Sequence, residues 1–188
     1  MYRGAGARAL LAALILAAGC APLTGPQAPG PRVEAPQISG GSHWVYRKVN
    51  PFNGETIGTL TEHAGGDSLG QLPFPLEAGR QWSERLVIPQ DFGPSRVQWI
   101  WGQTLGWENI RTPAGAWLAL KVVRETAFGD GDSEWTQTRR VETLWYVPEV
   151  AHWVRLERRD ERYLRAGRRS RTLQFDRILW ELEAYRPG

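Results

Sequence analysis

Thr112-Pro113-Ala114-Gly115-Ala116-Trp117-Leu118-Ala119-Leu120-Lys121-Val122-Val123-Arg124-Glu125-Thr126 is the stretch that decides the fold class. Its first four residues are turn chemistry: a proline that fixes φ and a glycine that tolerates conformations closed to other residues. From Trp117 to Thr126, Leu118, Leu120 and Val122 then fall on one side, and Trp117, Ala119 and Lys121 on the other. A period of two is the signature of a pleated strand, and β-branched and aromatic residues suit that surface.

The same pattern recurs in both directions. Trp44 to Val49 and Thr56 to Thr61 flank Asn50-Pro51-Phe52-Asn53-Gly54, which predicts an antiparallel hairpin. Arg85 to Ile88 forms a strand after a Pro-rich loop. Val97, Trp99 and Trp101 alternate with Gln98 and Ile100, and Trp107 to Arg111 continues the meander. Gly129-Asp130-Gly131-Asp132 is a turn, Trp135 to Val147 is one long strand or two, and Pro148-Glu149 breaks it. His152 to Arg158 follows, and Thr172 to Tyr185 closes the chain, with an apolar phase slip between Phe175 and Ile178 that predicts a bulge. Glu157 to Arg171 has some helical spacing through Leu156, Tyr163 and Leu164, but that apolar face is too thin, so a hairpin tip through Ala166-Gly167 is predicted instead. Short strands joined by turns, without amphipathic helices between them, predict a mainly β fold: a curved antiparallel sheet forming a sandwich or partial barrel.

The N-terminus is of a different kind. Arg3 and Arg8 precede an apolar run from Ala9 to Ala18, which ends in Leu16-Ala17-Ala18-Gly19-Cys20. A charged region, a short apolar run and small residues before a cut site form a signal peptide, too short to be a spanning helix. The segment resembles the lipobox of bacterial lipoproteins, with Ala17 where leucine is usual. That resemblance implies removal of residues 1–19, acylation of the Cys20 thiol and, through several acyl chains, permanent membrane anchoring. Ala21, in place of aspartate, implies the outer membrane facing the periplasm where the cell has two membranes. Residues 20–41, with five prolines and four glycines between Ala21 and Gly41, predict a semi-stiff tether to a single domain over 42–188.

Processing changes the charge balance. The whole chain has 23 basic and 20 acidic side chains; loss of Arg3 and Arg8 leaves 21 against 20, which gives no support to a nucleic-acid partner. Cys20 is the only cysteine, so once acylated it leaves no disulfide and no thiolate metal site.

The segments Thr112 to Val123 and Trp145-Tyr146-Val147-Pro148-Glu149-Val150-Ala151-His152-Trp153-Val154-Arg155-Leu156-Glu157 resemble a family of uncharacterised exported bacterial β-domains. Pro75-Leu76-Glu77-Ala78-Gly79-Arg80-Gln81-Trp82 matches an upstream motif of that family, which often has glycine where Ala151 stands. These motifs are turns and packing points, and they imply no catalytic role. More loosely, the family is similar to the half-barrels of bacterial lipoprotein carriers, whose concave face holds acyl chains; fold alone does not establish that function.

Several chemical motifs fail on context. Gly66-Asp67-Ser68-Leu69-Gly70 matches a hydrolase nucleophile pattern, with Glu149 and His152 as a distant acid and base. A serine of that type needs a buried strand before it and a helix after it, and neither pattern is present. Asp130, Asp132 and Glu134 alternate like the start of a calcium loop but lack its distal glutamate. His43, His63 and His152 have no metal-binding spacing, so neither a metal nor a cofactor is expected.

Two anomalies remain. Arg155, Arg158, Arg159, Arg162, Arg165, Arg168, Arg169 and Arg171 stand against only Glu157, Asp160 and Glu161, an anionic-partner patch in its sharpest reading and a solvated hairpin in its plainest. Ten tryptophans are present, and Trp99, Trp101, Trp117 and Trp145 are the candidates to line an apolar groove. The sequence thus predicts a membrane-anchored, non-enzymatic module for an apolar ligand or envelope component. The alternative is a structural or assembly subunit that contacts an envelope protein.

Overall fold

The computed structural model describes residues 30–65, 72–89, 95–129, 136–166 and 169–188; at 96, 129, 136, 137, 164–166 and 169–175 it describes the backbone alone. Eight strands form one sheet: β1 His43–Val49, β2 Thr56–His63, β3 Gln81–Ile88, β4 Arg96–Thr112, β5 Gly115–Gly129, β6 Thr136–Val147, β7 His152–Ala166 and β8 Arg169–Arg186. Their order is β2-β1-β8-β7-β6-β5-β4-β3, and every neighbouring pair is antiparallel. The fold is mainly β, as the alternation predicts. It is a single curved sheet left open between β2 and β3, not a closed barrel.

Bulges set which residues share a face. Val97 to Trp101 and Trp107 to Arg111 belong to one long strand, β4, whose register against β5 shifts between Thr104 and Gly106. The extra residue, Leu105, reverses the parity, so Trp99 and Trp101 share a face with Glu108 and Ile110, while Ile100, Thr104 and Trp107 lie on the other. In β8 the predicted slip between Phe175 and Ile178 is absent. The register runs unbroken from Gln174 to Glu181, and the extra residues are Leu173, opposite β7, and Glu183, opposite β1. The apolar phase change comes instead from a strand that is buried on one face near Leu182 and exposed at Asp176 and Arg177.

The core occupies one face at one end of the sheet. Trp44, Tyr46, Leu120, Val122, Leu144, Tyr146, Leu156 and Leu182 are buried there. A cap closes over them. Val33 and Leu76 exchange two backbone hydrogen bonds of 2.8 Å, and Phe74 meets the Tyr146 ring edge-on at 5.6 Å between centroids. The stretch expected as tether therefore contributes to packing where it is described: Val33 is buried, because Leu76 satisfies both of its backbone polar groups.

Glycines allow two close approaches on this side. A side chain at Gly102 would collide with the indole of Trp82, and one at Gly30 with that of Trp107. Between β6 and β7 the chain makes a 3-10 turn over Pro148–Val150 that ends at Ala151, in the left-handed conformation at φ 57°. A non-glycine residue in that conformation is strained, so Ala151 carries a local backbone cost.

Candidate functional site

The sheet divides along its strands into a capped apolar end and a charged end. In β5, β6, β7 and β8 the apolar residues of each strand align with those of its neighbours, and so do the charged ones. On the core side Glu142 is 3% exposed and lies between Arg124 and Arg158. Arg124 Nε and Nη2 donate to Oε2 at 3.0 and 2.5 Å, and Arg158 Nε donates to Oε1 at 2.9 Å. Burial alone would push the Glu142 pKa up; the charge and hydrogen bonds of the two guanidinium groups outweigh it and hold the carboxyl below its ordinary value. One rung further out, Arg140 holds Asp160 through two hydrogen bonds of 2.8 and 3.0 Å.

The opposite face carries the candidate tryptophans. All four fall on it, because Trp117 and Trp145 pair with Ile110 and Lys121. They form two groups. Trp145 is buried, donates its indole N–H to Glu108 and lies beneath Lys121 and Arg155, each 5.1 Å from the ring centroid; half-buried Trp117 donates to Thr112 Oγ1 at 3.0 Å. Trp99 and Trp101 lie towards the other end of β4, stacked at 6.4 Å and 17° and exposed by 46% and 45%. Arg85 on β3 sits 5.5 Å from the Trp99 ring, and Val87 and Ile88 are exposed on the same edge strand. Trp99 and Trp101 form an accessible aromatic surface; Trp117 and Trp145 are engaged in packing.

Of the candidate arginines, Arg168 lies outside the described residues, and for Arg165, Arg169 and Arg171 only the backbone at the β7–β8 tip is described. Arg162 is exposed. Arg155 pairs with Glu157 at 2.9 Å, Arg158 with Glu142 at 2.8 Å and Arg159 with Glu161 at 3.2 Å. Most of the described part of the patch is thus interleaved with carboxylates. The sequence reading missed Arg177, which the β7–β8 register places opposite Arg159. On the tryptophan-bearing face, Val141, Thr143, Glu157, Arg158, Arg159 and Arg177 line a hollow of about 330 Å³.

A third cluster is buried at the capped end. The Tyr46 hydroxyl donates to the Trp153 carbonyl at 2.9 Å and lies 2.6 Å from His152 Nδ1, while His152 Nε2 is 3.0 Å from Glu62 Oε2. Trp44 stacks on the same imidazole at 4.5 Å. Both ring nitrogens are occupied, so His152 acts as a packing and hydrogen-bonding residue of the core and offers no free lone pair to a metal or substrate. Burial, with the Glu62 charge adding to it, raises the Tyr46 pKa far above that of a free phenol, so this hydroxyl keeps its proton. Glu62, the partner of His152, lies on edge strand β2, and no local motif links the two.

Ser68, the calcium-like Asp130, Asp132 and Glu134, and Cys20 lie outside the described residues. Among the described residues no three His, Cys, Asp or Glu side chains are placed to hold a metal ion. Among the described residues, the buried side-chain nitrogen and oxygen atoms without a hydrogen-bond partner are Trp82 Nε1, Thr104 Oγ1 and Trp107 Nε1, on the core side of β3 and β4, and Arg155 Nε, on the opposite face of β7. Compared with family models, curated proteins and solved structures, the chain matches none.

Proposed function

We propose that this chain is a lipid-anchored, non-enzymatic binding module of the bacterial envelope, held by acylated Cys20, that takes an apolar ligand or envelope component on its sheet. The observation that carries this reading is the exposed, parallel Trp99–Trp101 pair, bordered on the same face by exposed Val87 at the open β3 edge. Large apolar side chains left together on a solvated sheet edge mark a contact surface, and such an edge is otherwise a site of uncontrolled pairing.

The test uses the full chain purified from a bacterial envelope. Mass spectrometry should find a co-purifying amphiphile at near-stoichiometric level in the parent protein and at a strongly reduced level in Trp99→Ser/Trp101→Ser. Absence of any such species in the parent would overturn the apolar-ligand reading and favour the assembly subunit. Cys20→Ser should abolish incorporation of labelled palmitate; full incorporation in that variant would remove the anchor from the proposal.

A further inference from the structure

We infer that the hollow lined by Val141, Thr143, Glu157, Arg158, Arg159 and Arg177 is a binding site for a phosphate group, with Arg159 and Arg177 as its two arms. Three observations lead there. Arg159 and Arg177 are directly opposed across β7 and β8, on the face where the hollow of about 330 Å³ opens. Like charges directly opposite each other in an antiparallel pair are destabilising, so this rung calls for an anion between them. The carboxylates nearby flank that rung without spanning it: Glu161 lies 3.2 Å from Arg159 Nε, and Glu157 stands 3.6 Å from Arg177 Nη2, beyond hydrogen-bond length, while accepting from Arg155 at 2.9 Å.

The third observation is the bulge. Between Ala166↔Arg169 and Tyr163↔Thr172 the β7–β8 ladder keeps one register, and the extra Leu173 then shifts it by one. Were Leu173 paired in the ladder instead of bulged out of it, Arg159 would face Asp176, an opposite-charge pair; with the bulge, Arg159 faces Arg177 and Asp160 faces Asp176. On the core side the acidic rung is relieved by Arg140. On the other side, among the described residues, the basic rung meets Glu161 and Glu157 only at its flanks and opens into the hollow. Planar guanidinium forks from adjacent strands match the oxygens of one phosphate, and the Thr143 hydroxyl adds a further donor. The inference goes beyond the proposed function, because it depends neither on the acyl anchor nor on Trp99 and Trp101.

The experiment measures thermal unfolding of the full chain in detergent, with inorganic phosphate compared against chloride at equal ionic strength. At about ten times the dissociation constant, phosphate should raise the midpoint by about 3 °C more than chloride. Arg159→Gln/Arg177→Gln should abolish that difference, and in phosphate-free buffer should melt no lower than the parent, since it removes a repulsion. Trp99→Ser/Trp101→Ser should keep the phosphate shift in full, which separates this site from the apolar one. If the double variant fails to fold, Arg177→Lys, which keeps the charge and loses the fork, should weaken the phosphate effect several-fold. Parallel titrations with glycerol phosphate and short-chain phosphatidic acid identify the source: a larger shift with the lipid assigns a phospholipid headgroup, and an equal one assigns free phosphate. Identical midpoints in phosphate and chloride, together with no shift from either organophosphate, would overturn the site, as would a shift that survives loss of both arginines.

Discussion

The two ends of strands β5 to β8 solve the same problem by different physics. At the capped end, rings and branched side chains are removed from water under Val33, Leu72 and Leu76. At the charged end, the same strands continue with guanidinium and carboxylate groups that satisfy one another across rungs, as in Arg124–Glu142–Arg158 and Arg140–Asp160. Burial of apolar area is non-directional and strong, so the capped end sets stability. Ion pairs are weak in net terms yet strict in geometry, so the charged end defines register and surface chemistry.

The sharpest break in this contrast comes from Trp44→Ala. It empties a fully buried site, strands the Val150 carbonyl that accepts from the indole at 3.0 Å, and removes the stack on His152. The expected loss is about 4 kcal/mol, read from urea unfolding. Next comes Glu142→Gln, which leaves Arg124 and Arg158 without their carboxylate and should cost about 3 kcal/mol. Acid should mimic it. Because the folded Glu142 carboxyl titrates below its ordinary value of 4.5, its contribution is complete above that pH and is lost as pH falls through the depressed folded value. A stability profile from pH 6 to pH 2 should flatten in the glutamine variant; an unchanged slope would show that another carboxylate dominates.

Smaller effects refine the comparison. Ala151→Gly relieves the left-handed strain at the end of the 3-10 turn and should raise unfolding free energy by about 0.5 to 1 kcal/mol, measured by the same titration. Arg139→Gln breaks pairs to Glu125 and Glu161 that are partly solvated, and should change stability by less than about 1 kcal/mol. A loss as large as that of Glu142→Gln would mean that solvation does not separate inner from outer rungs.

Strand-forming segments were legible because period-two alternation and turn chemistry are local. Trp117 to Thr126 reads as a strand without knowledge of its partners, and the Pro148-Glu149 break appears as the 3-10 turn. Facing relations were less legible. A single bulge reverses parity, so the sequence placed Trp99 and Trp101 on one face but not that face's relation to Trp107, and it located the β8 irregularity between Phe175 and Ile178 instead of at Leu173 and Glu183. The Arg159–Arg177 rung depends on that displaced bulge and could not be read from composition. Nor could the Tyr46–His152–Glu62 cluster, whose members meet only after β1, β2 and the start of β7 assemble. The burial of Val33 was hidden by its proline- and glycine-rich surroundings, since its partner Leu76 lies in another irregular segment.

The pairing of β1 with β8 also fixes a direction. His43 lies opposite Arg186, and the Gly188 N–H donates to Ser42 Oγ at 2.9 Å, so the chain leaves the sheet beside the point where it entered. The 18 residues of β8 span up to about 60 Å from there to the arginine-rich tip at Arg169. The point where the chain enters the sheet at His43 and the arginine-rich tip therefore lie at opposite ends of β8, so whatever reaches the tip meets the sheet far from both of its described termini.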